Sequence, residues 1–150
     1  MKHNSKLTEL SIVIPIYKEA KNINKLWVKI KKNINIKKYE TIFIDDNSND
    51  GTEEILKKIS KKDKKNKFYI RKNKEKDLSK SCILGFNKSK YENILVMDGD
   101  LQHDPKYIPK IINEYKPKEI INFGTAGAVN KDLSEIIECT KFYQRDMDVT

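Results

Sequence analysis

Residues 94–103 read ILVMDGDLQH, an apolar run that ends abruptly in two acids. The run is short and bounded by polar residues, a pattern typical of a buried strand. Asp98 and Asp100 follow it, separated only by Gly99. Because the chain carries a formal net charge of +9, two carboxylates grouped at the end of a buried strand indicate a local function.

Similar apolar segments recur along the chain, and a helical pattern separates each from the next. The first helix carries apolar residues at steps of four, three and four, at Ile23, Trp27, Ile30 and Ile34. Strict alternation with uniformly apolar strands predicts an α/β fold, in which helices cover both faces of a mostly parallel sheet. The predicted strands are residues 11–16, 39–44, 67–71, 93–97 and 119–123.

The other helices begin at polar signals. Asp50 and Glu53 have the spacing of a capping box, and Asp104-Pro105 predicts an N-cap followed by the first residue of a helix. A further helix is expected near residues 79–89. The apolar faces of these helices would carry Ile55, Leu56, Ile59, Cys82, Ile83, Phe86, Ile108, Ile111, Ile112 and Tyr115.

The charge balance is basic, with 31 Lys and Arg against 22 Asp and Glu in 150 residues. A basic surface can attract nucleic acid, anionic lipid or a phosphorylated substrate. Much of the excess lysine falls at solvent-facing helix positions, in residues 57–65. No nucleic-acid module is recognisable and no aromatic residues interleave the lysine runs, so we expect no nucleic-acid partner.

Cysteine usage and hydropathy bear on the compartment. Cys82 and Cys139 show neither metal-site spacing nor a disulfide framework, which favours a reducing, cytoplasmic setting. The first residues lack the apolar core of a signal peptide. No run approaches the ~18 apolar residues of a membrane-spanning helix, so any contact with a membrane is expected to be peripheral.

Acids follow three of the predicted strands. Ligands bind beyond the carboxyl ends of the strands in such sheets, and Glu19, Asp45, Asp46, Asp98 and Asp100 all fall there. Each has a structural alternative: Glu19 could favour a helix N-terminus, and Asp46 could form an Asx turn. Gathering like charges at one edge nevertheless costs energy unless something offsets them.

A divalent cation is the natural offset. In an extended chain residues i and i+2 point the same way, about 6.5–7 Å apart, so Asp98 and Asp100 would face one ion. Gly99 between them would leave room for a ligand to approach. Oxygen ligands suit Mg²⁺ or Mn²⁺, which one or two carboxylates commonly hold together with substrate phosphates. A nucleoside diphosphate would complete the coordination.

Three motifs in this order resemble the family 2 glycosyltransferases: SIVIPIYKEAKNI, FIDDNSNDGT and ILVMDGDLQHDPKYIP. The dolichyl-phosphate mannose synthase branch is the most similar, over about residues 10–115. The resemblance implies the Rossmann-like, nucleotide-binding half of a GT-A fold. It also implies metal-dependent transfer of a sugar from a GDP-mannose or UDP-glucose class donor to a polyprenyl phosphate at the membrane surface.

The resemblance implies a role for each matching residue. Pro15, Tyr17 and Glu19 would line the pocket for the donor's base and ribose, and Asp45 or Asp46, with Asp46 preferred, would bind the base. Asp98 and Asp100 would bind the metal and diphosphate and carry catalysis. Gln102 would support both the metal and the nucleotide sugar.

Two other parts of the matching region are not assigned a direct role in binding or catalysis. The segment with Arg71, Leu78, Ser79 and Ser81 lies where the family places a basic loop and a helix start near the donor, but it departs from the usual glycine-rich form. His103 is the kind of residue nominated as a general base. Its position in a family-like Leu-Gln-His-Asp-Pro run favours structural support instead.

The last residues look different. Residues 119–150, with Gly124-Thr125-Ala126-Gly127, resemble an internal fragment of the methylthioadenosine/adenosylhomocysteine nucleosidases, although a simple turn is the alternative. We therefore expect a nucleotide-sugar-binding region at 1–116 and a nucleosidase-like tail at 117–150. The glycosyltransferase part would then be incomplete. Two alternatives to an active transferase are a non-catalytic nucleotide-binding fragment and a nucleosidase-related hybrid.

Overall fold

A computed structural model describes residues 7–72, 75–114 and 121–123. Strands and helices alternate along them as the sequence predicts. The strands are β1 (Glu9–Ile16), β2 (Lys38–Asp45), β3 (Asn66–Ile70), β4 (Ile94–Met97) and β5 (Ile121–Phe123). The helices are α1 (Ala20–Asn33), α2 (Thr52–Lys62), α3 (Leu78–Lys88) and α4 (Ile108–Glu114), and a 3₁₀ turn at Pro105–Tyr107 precedes α4.

The five strands form one parallel sheet in the order β3-β2-β1-β4-β5. The chain adds β2 and then β3 on one side of β1 and returns to place β4 on the other side. The strand order therefore reverses at β1, and ligands of open α/β sheets bind at such a reversal, beyond the carboxyl ends of the strands. The predicted α/β fold with a parallel sheet is confirmed.

Alternate side chains of β1 lie on opposite faces of the sheet. Ile12 and Ile14 join the larger apolar cluster, to which α1, α2 and α4 contribute. Val13 faces the other side, in a smaller cluster with partly buried residues of α3. Among the described residues α3 is the one helix on that second face, and none of their helices is long and apolar enough to cross a membrane.

Helix α3 lies close to the sheet because small residues face it. Ser81 is buried, and a Cβ added to Gly85 would lie 2.2 Å from Cγ1 of Val13. A larger residue at either position would hold the helix away from β1. The close approach brings the first turn of α3 to the carboxyl edge of the sheet.

A polar network holds the opposite edge of the sheet together. Glu40 of β2 is buried and accepts hydrogen bonds from Ser11 Oγ at 2.8 Å and from the Lys90 backbone N–H, and it pairs with Lys67 Nζ at 2.7 Å. Ser11 Oγ in turn accepts from the Tyr91 N–H. Burial alone would raise the pKa of Glu40, but the bonds from Lys67, Lys90 and Ser11 outweigh it and lower the pKa.

The predicted apolar face of α1 packs against the core, whereas one predicted position on α3 does not. Ile23 and Ile30 are buried, Trp27 and Ile34 are partly buried against the same core, and Leu26 is a further buried residue that the predicted period did not include. Ile83 on α3 is 54% exposed. The predicted burial of Ile108, Ile111 and Ile112 is confirmed, and Tyr115 lies outside the described residues.

The start of α2 differs from the prediction, whereas the start of the 3₁₀ turn agrees with it. The N-cap of α2 is Gly51, with φ +90°, and Asp50 accepts from Thr52 rather than forming a capping box with Glu53. Asp104 caps the 3₁₀ turn as predicted, since its carboxylate accepts from the Lys106 N–H at 3.1 Å. β5 is described at Ile121–Phe123, and residue 119, where the sequence predicts its start, lies outside the described residues.

Candidate functional site

Backbone strain gathers at the carboxyl edge of the sheet. Lys18, Asn47 and Leu101 adopt φ values of 57°, 58° and 69°, and they are the only non-glycine residues with positive φ in the described part of the chain. They lie in the loops that follow β1, β2 and β4. A side chain with a Cβ rarely adopts this conformation, and such strain clusters at functional sites.

The loops after β1 and β2 are joined by hydrogen bonds. The Lys18 N–H donates to Ser48 Oγ at 2.7 Å, and Ser48 Oγ donates to Asp45 Oδ1 at 2.6 Å. The Ala20 N–H donates to Asp50 Oδ2 at 3.2 Å. The two loops therefore form one rigid support beside the reversal in strand order.

Asp45, one of the two predicted base-binding acids, is part of the hydrogen-bonded network that joins these two loops. Its side chain is fully buried and accepts hydrogen bonds from both the N–H and the hydroxyl of Ser48. The turn-forming role that the sequence analysis offered as an alternative for Asp46 therefore belongs to Asp45. The pKa of Asp45 is raised, mainly because the carboxyl group is buried. The hydrogen bonds from Ser48 lower this pKa, but they are outweighed by burial together with the charges of Asp50 and Asp46.

Asp46 faces the other way and pairs with Arg71. The Arg71 Nη1 donates to Asp46 Oδ1 at 2.7 Å, with both side chains less than 8% exposed. The same Nη1 lies 2.9 Å from the Asp77 carbonyl and 3.1 Å from Ser81 Oγ, and the Asp77 N–H donates to Asp46 Oδ2 at 2.7 Å. These contacts fix the position of the Asp46 carboxylate.

A cavity of about 230 Å³ opens beside Asp46. One wall is the end of β1 and its loop: Pro15, Ile16 and Tyr17. Tyr17 is 42% exposed, so its ring offers a flat surface on which a planar group can stack. Two of the three predicted base-pocket residues, Pro15 and Tyr17, therefore line one cavity with Asp46.

The opposite wall comes from the start of α3 and the residues before it. Asp46, Lys76, Asp77, Leu78 and Ser81 line it. The sequence interpretation expected Leu78 and Ser81 near a ligand but missed Lys76 and Asp77. The sequence carried no specific signal for these two residues, since both fit the charged composition around them.

The acidic residues after β4 lie on a turn. β4 ends at Met97 and residues 99–100 form a turn, so the expectation that Asp98 and Asp100 lie along an extended chain is wrong. Asp100 Oδ1 accepts from the Gln102 N–H at 2.9 Å. The turn closes through the left-handed backbone of Leu101, and Gln102 itself is exposed.

His103 supports this turn from inside. It is 5% exposed, and its Nδ1 accepts from the Asp98 N–H at 3.2 Å. The same Nδ1 lies 3.6 Å from Asp98 Oδ2. Burial raises the pKa of Asp98, the nearby His103 opposes this, and the charge of Asp100 raises the pKa further. The arrangement is consistent with a structural role for His103.

Gly99 joins the acidic turn to β1. A Cβ at Gly99 would lie 2.4 Å from Cγ2 of Ile16 and 3.5 Å from Cγ of Glu19. The glycine therefore permits close packing within the protein, where the sequence interpretation invoked approach by a ligand. Since Ile16 also lines the cavity, the cavity and the acidic turn are neighbours.

Glu19, the third predicted base-pocket residue, is not among the residues that line the cavity. Glu19 lies at the start of α1 and accepts from Asn22 Nδ2 at 2.7 Å. Within the described ranges no three His, Cys, Asp or Glu side chains converge as a preformed metal site.

Comparison with protein families decides the identification. Residues 11–147 match the model of glycosyl transferase family 2. The chain belongs to this family. The predicted resemblance to family 2 is thereby confirmed, whereas the resemblance of residues 119–150 to nucleosidases and the division at residue 116 stay predictions. Gly124-Thr125-Ala126-Gly127 lies outside the described residues.

Named relatives of this family 2 member come from several organisms. It is 37% identical over 117 residues to a dolichol-phosphate mannosyltransferase of Pyrococcus furiosus, covering 78% of this chain and 33% of the relative. The corresponding enzyme of Saccharomyces cerevisiae is 35% identical, with 69% and 39% covered. An undecaprenyl-phosphate 4-deoxy-4-formamido-L-arabinose transferase of Edwardsiella ictaluri is 29% identical, with 69% and 32% covered. The chain thus spans about a third of the length of these relatives.

Solved structures support the fold. S. aureus TarS 1-349, in a complex with UDP-GlcNAc, superposes with a TM-score of 0.55 at 24% identity, covering 61% of this chain and 26% of that one. The structure of TarS 1-349 with UDP gives a TM-score of 0.56 at the same identity. This likeness identifies the sheet and its helices as part of a GT-A fold.

Proposed function

We propose that this chain forms the donor-binding half of a glycosyltransferase that uses a nucleotide sugar of the GDP-mannose or UDP-glucose class. One observation carries the proposal: a cavity between Tyr17 and Asp46 adjoins the acidic turn at the reversal in strand order. The names of the dolichol-phosphate mannosyltransferase relatives support the reaction class.

The base would enter between the Tyr17 ring and the Asp46 carboxylate. Each Asp46 oxygen already accepts one hydrogen bond, from Arg71 or from the Asp77 N–H, and a carboxylate oxygen has a second lone pair for a base N–H. Because Arg71 holds the carboxylate in place, Asp46 is a better base-binding residue than Asp45. Pro15 and Glu19 would flank the base and ribose.

The donor atoms of the acidic turn fit a hard divalent cation. Asp98 has a half-buried carboxylate beside Asp100, and the pKa of Asp98 is raised partly by that neighbouring charge, which a cation would relieve. One or two carboxylates with substrate phosphates are a usual ligand set for Mg²⁺ or Mn²⁺. Such an ion would supply Lewis-acid stabilisation of the departing diphosphate, and Gln102 would support its coordination.

Transfer would join an acceptor oxygen to the sugar carbon as the bond from that carbon to the diphosphate breaks, releasing a nucleoside diphosphate. The acceptor we propose is a polyprenyl phosphate at a membrane surface, reached from the cytoplasmic side. The dolichol-phosphate and undecaprenyl-phosphate named in three relatives support it.

Calorimetric titration with GDP and UDP, with and without Mn²⁺, tests donor binding. We expect binding that Mn²⁺ strengthens, and we expect an Asp98→Asn, Asp100→Asn double variant to lose the Mn²⁺-dependent part. Asp104→Asn is the matched control, because asparagine caps a helix as well as aspartate does. An unchanged Mn²⁺ effect in the double variant would contradict the metal site.

A non-catalytic donor-binding fragment is the second candidate, because the cavity between Tyr17 and Asp46 accounts for binding a nucleotide but not for binding an acceptor. Incubation with GDP-mannose or UDP-glucose and a polyprenyl phosphate separates the two. Sugar recovered in the lipid phase supports the transferase. Mn²⁺-dependent binding of the diphosphate without transfer supports the fragment.

A further inference from the structure

Lys76 lies at the cavity and forms no ion pair with any of the described residues. It is the one lysine or arginine among the described residues that line the cavity. Within the described ranges no carboxylate oxygen lies within 4.0 Å of its Nζ. The carboxylate of Asp46, the residue whose backbone carbonyl accepts from Lys76, is already paired with Arg71.

Neutral groups hold the Lys76 ammonium in this structure. Its Nζ donates to the Asp46 carbonyl at 2.6 Å and lies 3.4 Å from the Asn47 carbonyl. It also lies 4.8 Å from the centre of the Tyr17 ring, and Lys18 Nζ lies 5.2 Å from the same ring. Two ammonium groups around one ring produce a local positive potential that favours an anion.

We propose that Lys76 binds the phosphates of the donor independently of any metal ion, an inference that rests on the proposed function. An ammonium on a four-carbon chain can rotate away from the Tyr17 ring and exchange a carbonyl for a phosphate oxygen. A hydrogen bond between two charged groups is stronger than one to a neutral carbonyl. The same movement uncovers the Tyr17 ring for stacking by the base.

The experiment compares GDP and UDP with guanosine and uridine, all in EDTA, by calorimetric titration. For Lys76→Met we expect about tenfold weaker binding of the diphosphates, the order expected for one charge-assisted hydrogen bond, and unchanged binding of the nucleosides. Lys88→Met is the matched control: it removes the same charge, and the Lys88 ammonium lies 5.2 Å from the Tyr69 ring, at the far end of α3. Lys76→Arg should retain most of the affinity.

Each outcome decides a different claim. Failure of the unaltered protein to bind GDP or UDP, with or without Mn²⁺, overturns the proposed function and this inference with it. Binding by the unaltered protein that Lys76→Met leaves unchanged overturns the inference alone. Equal weakening of nucleosides and diphosphates by Lys76→Met also overturns it, since Lys76 would then shape the base pocket rather than bind phosphate.

Discussion

Arg71 and Asp46 form an ion pair with a separation of 2.7 Å, and 6% and 7% of their respective side chains are exposed. Removing one partner of a buried pair leaves the other charge uncompensated, at a cost of about 3–5 kcal/mol. The pair joins the end of β2 to the segment that leads into α3, so its integrity bears on both stability and the shape of the cavity.

Arg71→Met is therefore expected to lower the free energy of unfolding by about 3–5 kcal/mol, as measured by urea denaturation. Lys57→Met is the matched control, because Lys57 pairs with Glu53 at a similar distance, 2.6 Å, but in an exposed position, and we expect no measurable change there. Equal effects of the two variants would contradict a structural role for the buried pair.

Gly85→Ala reverses the usual effect of alanine in a helix. Alanine normally stabilises a helix by about 1 kcal/mol relative to glycine, but here its Cβ would lie 2.2 Å from Val13 Cγ1. We expect a lower melting temperature. In a Val13→Ala background the cost of Gly85→Ala should shrink, because the two sites are coupled by contact. Additive effects would argue against the close approach of α3 to β1.

Gly99→Ala tests the contact between the acidic turn and β1. Overpacking of this kind costs about 1–3 kcal/mol, since the added Cβ would lie 2.4 Å from Ile16 Cγ2. We expect lower stability together with weaker Mn²⁺-dependent binding of GDP or UDP. The stability cost should be smaller in an Ile16→Ala background, and a cost independent of Ile16 would contradict the packing described.

Acid sensitivity should depend on Glu40. The pKa of Glu40 is lowered in the folded protein, so its stabilising contribution is complete above the unfolded value of about 4.3 and is lost as the pH falls through the lower folded value. Glu40→Gln should reduce the free energy of unfolding near neutral pH by about 1–3 kcal/mol. The difference from the unaltered protein should narrow below about pH 4.3.

Denaturation by urea from pH 7 to pH 3 measures this difference. Glu53→Gln, in the exposed pair with Lys57, is the control and should follow the unaltered protein throughout. A gap between Glu40→Gln and the unaltered protein that stays constant down to pH 3 would mean that Glu40 has no lowered pKa.

The fold follows from hydrophobic periodicity, which is a local property of the chain. Alternating apolar runs were sufficient to predict the parallel sheet, although the period predicted for α1 did not include Leu26, which is fully buried. Strand order depends on contacts between distant residues, and periodicity alone does not carry it.

Part of the cavity lining was predicted from the sequence, but the contacts between its residues were not. Pro15, Tyr17 and Asp46 line the cavity, whereas the partner of Asp46 is Arg71, 25 residues away along the chain, and no local pattern shows that pairing. Lys76 resembled the surrounding lysine-rich composition. Only the path of the chain before α3 brings it to the cavity wall.

The reversal of strand order at β1 has a consequence for synthesis on the ribosome. β1, β2 and β3 are complete by Ile70, but β4 begins only at Ile94, and the Tyr91 N–H that reaches Ser11 is 80 residues later in the chain. At roughly 5–20 residues per second, those 80 residues take about 4–16 seconds to synthesise, and one edge of β1 waits that long for its partner strand. During that interval a nascent chain exposes unpaired backbone groups of a strongly apolar strand, a recognised template for aggregation.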